Sequence, residues 1–225
     1  IVDKSFLVVG LGYYPKCSCV SASLFCARRG GKKVIVTDIR SRELLSKTVP
    51  KLLKFRNIEF VFGKHRLHDV AQADIIVKNP GVPDNILLIK RARALKKIIT
   101  NDIGLFLAHK PQGKIVGVTG TRGKSTTTAL IDEFLKKEFP RTWLGGNIGI
   151  SPLQFIEKMK PGDITVLELS SWMLHDLKKP QLDIAVMTNI LQDHLDRYRS
   201  MREYQRDKER IWRWQTRDHL LVLNA

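Results

Sequence analysis

Cysteine is scarce in this chain of 225 residues: three thiols, Cys17, Cys19 and Cys26, crowd into one short stretch. An odd, clustered set does not make a disulfide framework, and no second Cys/His cluster completes a zinc site. A reducing, cytoplasmic setting is expected. Long apolar runs are also missing. None reaches the roughly 18 residues of a membrane span, and the N-terminus lacks the charged-then-apolar layout of a signal peptide. Internal repeats and low-complexity tracts do not occur, and no aromatic-interleaved RNA-binding motif is visible. Acidic residues are few, 22 Asp+Glu against 39 Lys+Arg, for a net charge of +17. Residues 1–112 carry 21 basic and 8 acidic side chains, a net of +13. Such a surplus fits nucleic acid, an anionic membrane surface or an anionic small substrate, or is simply a solvated surface.

What is present is a globular composition, 43% apolar and 27% charged. Short apolar runs alternate with helix-length amphipathic stretches, which predicts βα units around parallel sheets. Strands are expected at Phe6–Gly10, Lys33–Thr37, Glu59–Phe62, Asp74–Lys78 and Ile98–Thr100, then at Ile115–Thr119, Ile164–Leu169, Ile184–Thr188 and Leu220–Leu223. Helices are expected at Ser18–Arg29, Asn85–Lys96, Lys124–Glu138, Pro152–Met159 and Met201–Trp214. The polar segment His109-Lys110-Pro111-Gln112-Gly113 separates the two series, predicting domains at 1–109 and 110–225. The chain begins with Ile1 rather than Met and stops at Asn224-Ala225 after an apolar run, so a piece of a longer protein is expected.

Two turns have the character of phosphate sites. In the first, Gly10-Leu11-Gly12 follows a strand and Asp38 ends the next, the layout of a nucleotide-binding βαβ unit. The third glycine of a dinucleotide fingerprint is missing, and Pro15 offers no N–H. Standard dinucleotide binding is therefore disfavoured. A structural turn and a modified pocket lined by Tyr13, Tyr14, Asp38 and Arg40 both remain open. The second turn is more specific. Strand Ile115–Thr119 runs through Gly120, Thr121, Arg122 and Gly123 into Lys124, Ser125 and Thr126, a variant P-loop with Val118 where the strict pattern has glycine. Backbone N–H groups and the helix N-terminus can hold phosphate, Lys124 can reach the β/γ-phosphates, and Ser125 can hold Mg²⁺. A nucleoside triphosphate is the expected ligand. Glu168 at a strand end and His194 beyond the next strand are candidate metal ligands: a buried carboxylate is costly unless it pairs or coordinates. Taken alone, His194 also reads as an ordinary loop histidine.

Together these runs resemble the Mur ligase family. The resemblance rests on Gly10-Leu11-Gly12, Asn79-Pro80-Gly81-Val82-Pro83, Thr119–Thr128, Gly145-Gly146-Asn147-Ile148-Gly149, Leu167-Glu168-Leu169-Ser170-Ser171, Thr188-Asn189-Ile190 with Asp193-His194-Leu195-Asp196, and Tyr204 with Lys208. It implies an α/β protein with a Rossmann-like N-terminal domain for a UDP-linked substrate, then a truncated P-loop-type ATP-binding domain. It also implies ATP-dependent addition of D-glutamate to UDP-N-acetylmuramoyl-L-alanine through an acyl phosphate, in peptidoglycan synthesis. On this resemblance Lys124, Glu168, His194 and Lys208 are catalytic, and Ser125, Glu168, His194 and a carbamylated Lys208 serve Mg²⁺. Tyr13, Tyr14, Asp38, Ile39, Arg40, Asn79, Asn147, Ser170 and His194 contact substrate. The positive first half is expected to meet the diphosphate. The family's third domain is not in these residues, so no turnover by the chain alone is expected. A monomer without nucleic acid or membrane span is expected. Thr-Arg-Gly-Lys departs from the family's usual Asn or His before Gly-Lys and resembles polyglutamate-forming ligases. That class, a folate-type ligase, and a non-catalytic nucleotide- or nucleic-acid-binding protein are the alternatives.

Overall fold

A computed structural model describes the chain except residues 15, 110, 194–196 and 225. The chain divides into two compact units, Ile1–Leu105 and Phe106–Ala225. The division falls inside a helix, not in the polar segment at 109–113.

The first unit runs β1 (Ser5–Val9), α1 (Ser18–Arg28), β2 (Lys33–Asp38), β3 (Ile58–Phe62), α2 (Leu67–Gln72), β4 (Ile75–Lys78), α3 (Leu87–Ala94) and β5 (Ile98–Thr100), with α4 (Asp102–Ala108) crossing the division. Its strands form one parallel sheet in the order β3-β2-β1-β4-β5. Parallel strands are covered on both faces, which explains why β1 and β2 read as unbroken apolar runs. Leu7, Val9, Ile35 and Ile76 pack with Val70, Leu88, Ile89 and Ala92 of α2 and α3 on one face. Phe6 and Val8 of β1 point the opposite way and are fully buried, as are Val20 and Ala22 of α1. Chain order reverses about β1 and β4, so their carboxyl ends open a crevice of the kind that binds ligands in open α/β sheets.

The second unit runs β6 (Lys114–Thr119), α5 (Lys124–Glu138), β7 (Thr142–Gly146), β8 (Ile164–Glu168), α6 (Ser171–His175), β9 (Ile184–Met187), α7 (Met201–Glu209) and β10 (Leu220–Leu223). All five strands are parallel, in the order β10-β9-β6-β8-β7. Val116, Val118, Ile164 and Val166 form the buried sheet face on which Ile131 and Leu135 of α5 pack. Strand β6 is central, with β8 paired on one side and β9 on the other.

Two expectations about elements need correction. Residues 152–159 do not form one helix but two 3-10 turns, Pro152–Gln154 and Ile156–Lys158, broken at Phe155. Phe155 has φ −120°, and its ring stacks on Trp143 with centroids 5.0 Å apart. Helix α7 stops at Glu209, short of Trp214. Beyond it, the Arg210 side chain donates to the carbonyls of Leu174 and Leu177, and Ile211 is fully buried. Strand β7 and helices α2, α4 and α6 were not expected from the sequence.

Candidate functional site

The phosphate loop is built where β6 ends and α5 begins. Gly123 takes φ 79° immediately before the first helical residue, Lys124. Gly120 takes φ 149°, and a Cβ there would lie 1.9 Å from Thr188 Oγ1. Only a residue without a side chain lets the loop sit this close to the end of β9.

The loop is then tied down across that gap. The Thr121 N–H donates to the Asn189 carbonyl at 2.9 Å, and the Arg122 N–H donates to Asn189 Oδ1 at 3.0 Å. The Arg122 carbonyl accepts from Thr188 Oγ1 at 2.6 Å and from Asn189 Nδ2 at 3.2 Å. The Thr121 hydroxyl is a hub: it accepts from the Leu191 N–H at 2.9 Å and from the Tyr204 hydroxyl at 3.1 Å, and donates to the Leu191 carbonyl at 3.3 Å. Lys124 Nζ donates to the Thr121 carbonyl at 2.8 Å, folding the side chain back over the loop. Ser125 and Thr126, in the first turn of α5, are exposed.

Helix α7 closes the underside. Its N-cap, Ser200, accepts from the Glu203 N–H, and Glu203 in turn accepts from the Arg199 N–H. Tyr204 and Lys208 stand four residues apart on one face and both reach the loop. Lys208 is 1% exposed and donates from Nζ to the Gly120 carbonyl at 2.6 Å. Burial, with the Lys124 charge second, pushes its ammonium from the ordinary 10.5 down to about 7, against the pull of Asp193.

Glu168 ends β8 one strand over, paired in register with Val118. Its Oε1 accepts from Asn147 Nδ2 at 2.7 Å, and its backbone carbonyl accepts from the Asn147 N–H at 2.8 Å. Oε2 is buried and has no hydrogen-bond partner among the described residues. An orphaned carboxylate oxygen at the end of a buried strand is costly, and a divalent cation is the group that would satisfy it. Ser170 caps α6, accepting from the Met173 N–H at 3.2 Å. His194 lies outside the described residues.

The turn in the first unit has a different character. Gly10 and Gly12 take φ 80° and 87°, and a Cβ on Gly10 would come 2.7 Å from the Val82 side chain. Asp38 is saturated: Oδ2 accepts from the Leu11 N–H at 2.8 Å, and both oxygens accept from the Arg40 guanidinium. Burial would raise its pKa, but the Arg40 side chain, the Arg40 N–H and the Leu11 N–H together hold it below the usual carboxylate value. Arg40 also lies 4.1 Å over the Tyr13 ring. Asn79 donates its backbone N–H to Val9 and accepts from the Gly81 N–H through Oδ1 at 2.9 Å. Tyr13, Tyr14 and Ile39 are exposed around this turn. Pro15 lies outside the described residues.

The structure thus gathers Gly120 to Ser125, Lys208, Tyr204 and the 188–191 segment around one loop. Glu168 and Asn147 lie at the ends of β8 and β7 on the same edge of that sheet. Sequence reasoning assigned no role to Thr188 and Asn189, although it singled out the run that contains them. A polar pair directly after a buried strand beside a P-loop was the available signal.

A central parallel strand running through a glycine-rich loop into a Lys-Ser helix start defines a P-loop-type nucleotide-binding α/β domain. Residues 118–225 match the family described as Mur ligase middle domain. A relative from Borreliella burgdorferi, named UDP-N-acetylmuramoylalanine–D-glutamate ligase, is 39% identical over 223 residues, 99% of this chain and 48% of the relative. One of the same name from Acidobacterium capsulatum is 39% identical over 222 residues, 99% of this chain and 47% of the relative. The chain spans about half the length of the curated relatives it matches. Among solved structures, a UDP-N-acetylmuramate:L-alanyl-gamma-D-glutamyl-meso-diaminopimelate ligase from Neisseria meningitides superposes with TM-score 0.62, over 100% of this chain and 72% of that one. At 17% identity it shows a shared fold.

Proposed function

We propose that the chain supplies the nucleotide and UDP-substrate sites of an ATP-dependent amide ligase that adds D-glutamate to UDP-N-acetylmuramoyl-L-alanine in peptidoglycan synthesis. Residues 1–109 would hold the UDP portion and 110–225 the ATP. In this reaction the γ-phosphoryl group passes from ATP to the substrate carboxylate, giving ADP and an acyl phosphate. The amine of D-glutamate then attacks the acyl carbon, the amide forms, and phosphate leaves from the tetrahedral intermediate. Neither step needs a protein nucleophile; both need alignment and charge neutralisation.

The residues present suit those needs. Loop amides from Gly123 to Ser125 and the start of α5 bind the phosphates, and Lys124 exchanges the Thr121 carbonyl for the β/γ-phosphates. Ser125 and Glu168 would hold one Mg²⁺, and His194 and a carbamylated Lys208 would support a second; a metal bound there would supply charge neutralisation for the phosphoryl oxygens. An amine that titrates near 7 is partly neutral at physiological pH, and only the neutral amine can be carbamylated. Asn147 and Ser170 contact the muramoyl substrate. In the first unit Asp38 acts through Arg40, so Arg40, Tyr13, Tyr14 and the Leu11 turn face the UDP portion, with Asn79 behind them.

The observation that carries the reading is the buried Oε2 of Glu168, without a partner among the described residues, on the same sheet edge as the phosphate loop. Calorimetric titration of the 225-residue chain with a non-hydrolysable ATP analogue tests it. Binding should require Mg²⁺ and fall at least tenfold in Lys124→Ala; equal binding by that variant would remove the nucleotide site. UDP-N-acetylmuramoyl-L-alanine should bind in competition with UDP, and poly-γ-glutamate should not. The opposite preference would assign the chain to the polyglutamate-forming class.

A further inference from the structure

The positive charge of the first unit is not gathered at its phosphate-binding turn. Residues 28–33 and 42–57 hold nine basic side chains and one acidic one, Glu43. The folded chain brings much of this set to one end of the sheet. Arg28 at the end of α1 and Lys54 both lie near the Phe55 ring, at 5.8 and 5.6 Å. Asn57 donates from Nδ2 to the carbonyls of Ala27 and Gly31, holding the segment before β3 against the turn that carries Lys32. Lys32 in turn donates its N–H to the Lys4 carbonyl, and Asp3 donates to Gly30, which fixes the chain start alongside.

This end is the amino end of β1, β2 and β3. The Gly10–Gly12 turn, Asp38 and Arg40 are at the carboxyl ends, the length of β2 away, roughly 17 Å at 3.3 Å per residue. A diphosphate at the turn therefore leaves this charge unused. Arg28, Lys32, Lys51, Lys54 and Arg56 are all exposed. Large apolar side chains stand among them: Leu53 is 52% exposed, and Val2, whose side chain lies against Gly30, is 69% exposed.

We propose that the amino edge of the first sheet is a docking surface for an anionic phospholipid bilayer. Clustered Lys and Arg meet lipid phosphates, and isolated exposed apolar side chains enter the headgroup boundary. A nucleic acid is the less suited polyanion, because the one aromatic ring in the patch, Phe55, is half-buried with two cations near it and offers no open face for a base.

Flotation of the 225-residue chain with vesicles of 30% phosphatidylglycerol in phosphatidylcholine, against pure phosphatidylcholine, tests the surface. The chain should float with the anionic vesicles only and come off in high salt. Lys51→Glu/Lys54→Glu should weaken binding by ~25-fold or more, from about fivefold per basic residue. Leu53→Ser should weaken it severalfold at unchanged charge. Lys178→Glu/Lys179→Glu, an equal charge change at exposed sites of the second unit, should bind as the parent does. Four results would overturn the proposal: no flotation, equal losses in the two double variants, no effect of Leu53→Ser, or tighter salt-sensitive binding to a single-stranded RNA. Circular dichroism of each variant confirms that the fold is kept.

Discussion

Replacing Gly120 with alanine challenges the seating of the phosphate loop most directly. The added Cβ would sit 1.9 Å from Thr188 Oγ1 and 3.1 Å from the Asn189 backbone nitrogen, at a φ of 149°. Relief requires Thr188 to rotate, which breaks its 2.6 Å bond to the Arg122 carbonyl, or the loop to lift off residues 188–191. A side chain forced into a glycine-only conformation costs roughly 1–3 kcal/mol, and the lost hydrogen bond about 1 kcal/mol. The sum is about 2–4 kcal/mol, or a fall in melting temperature of roughly 8–16 °C for a unit of this size. The assay is built into the chain. All four tryptophans, Trp143, Trp172, Trp212 and Trp214, lie in the second unit, so indole emission reports its unfolding alone. Nucleotide affinity should fall along with stability. Gly120→Ala/Thr188→Ala removes the closest clashing atom and should be less destabilised than the two single changes added together. A Gly120→Ala chain that melts within a few degrees of the parent and binds nucleotide equally would refute the account of the loop.

Other consequences follow from the same geometry. Because the Lys208 ammonium titrates near 7 when folded and near 10.5 when unfolded, the unfolded chain holds an extra proton between those values. Stability contributed through this group therefore rises with pH across that window, by at most about 1.4 kcal/mol per pH unit. Urea unfolding of Lys208→Met should lack the rise, and parallel pH profiles for the two proteins would show that burial of the amine has no such cost. Glu168→Gln should leave the metal-free chain at least as stable as the parent while abolishing the Mg²⁺ dependence of nucleotide binding; retained dependence would place the cation elsewhere. Asp38, held below its usual value by Arg40 and Leu11, contributes stability that is present at neutral pH and lost as pH falls through its folded pKa. Arg40→Ala should flatten that acid-side loss in thermal melts, and an unchanged acid limb would mean that Arg40 does not hold the carboxylate.

The strands were legible wherever burial on both faces demanded unbroken apolar residues, as in β1, β2 and β8. Helix α5 was legible to its bounds, because a glycine-rich loop must end where the helix starts. Strand β7 was not, since Thr142-Trp143-Leu144-Gly145-Gly146 has two apolar side chains outside glycine and is extended because it pairs with Thr165 and Leu167 of β8. Phe155 interrupts what reads as a helix because its ring packs on Trp143 and its chain follows. At the site, the types of residue at Gly120 to Ser125 and Glu168 declared a phosphate and a cation. The roles of Thr188 and Asn189 did not show, because each depends on a partner tens of residues away.

By itself the sequence determined two parallel α/β units, the position of the phosphate loop and the resemblance to the Mur ligases, since local patterns of apolar burial and glycine carry that information. Tertiary structure decided how the loop is held, why Gly120 admits no side chain, and that Lys208 is buried against a carbonyl with its charge partly suppressed. It also decided where the surplus charge went. Net charge is a sum over composition, whereas its use depends on which end of a sheet each lysine reaches, and that is set only when β1, β2 and β3 align.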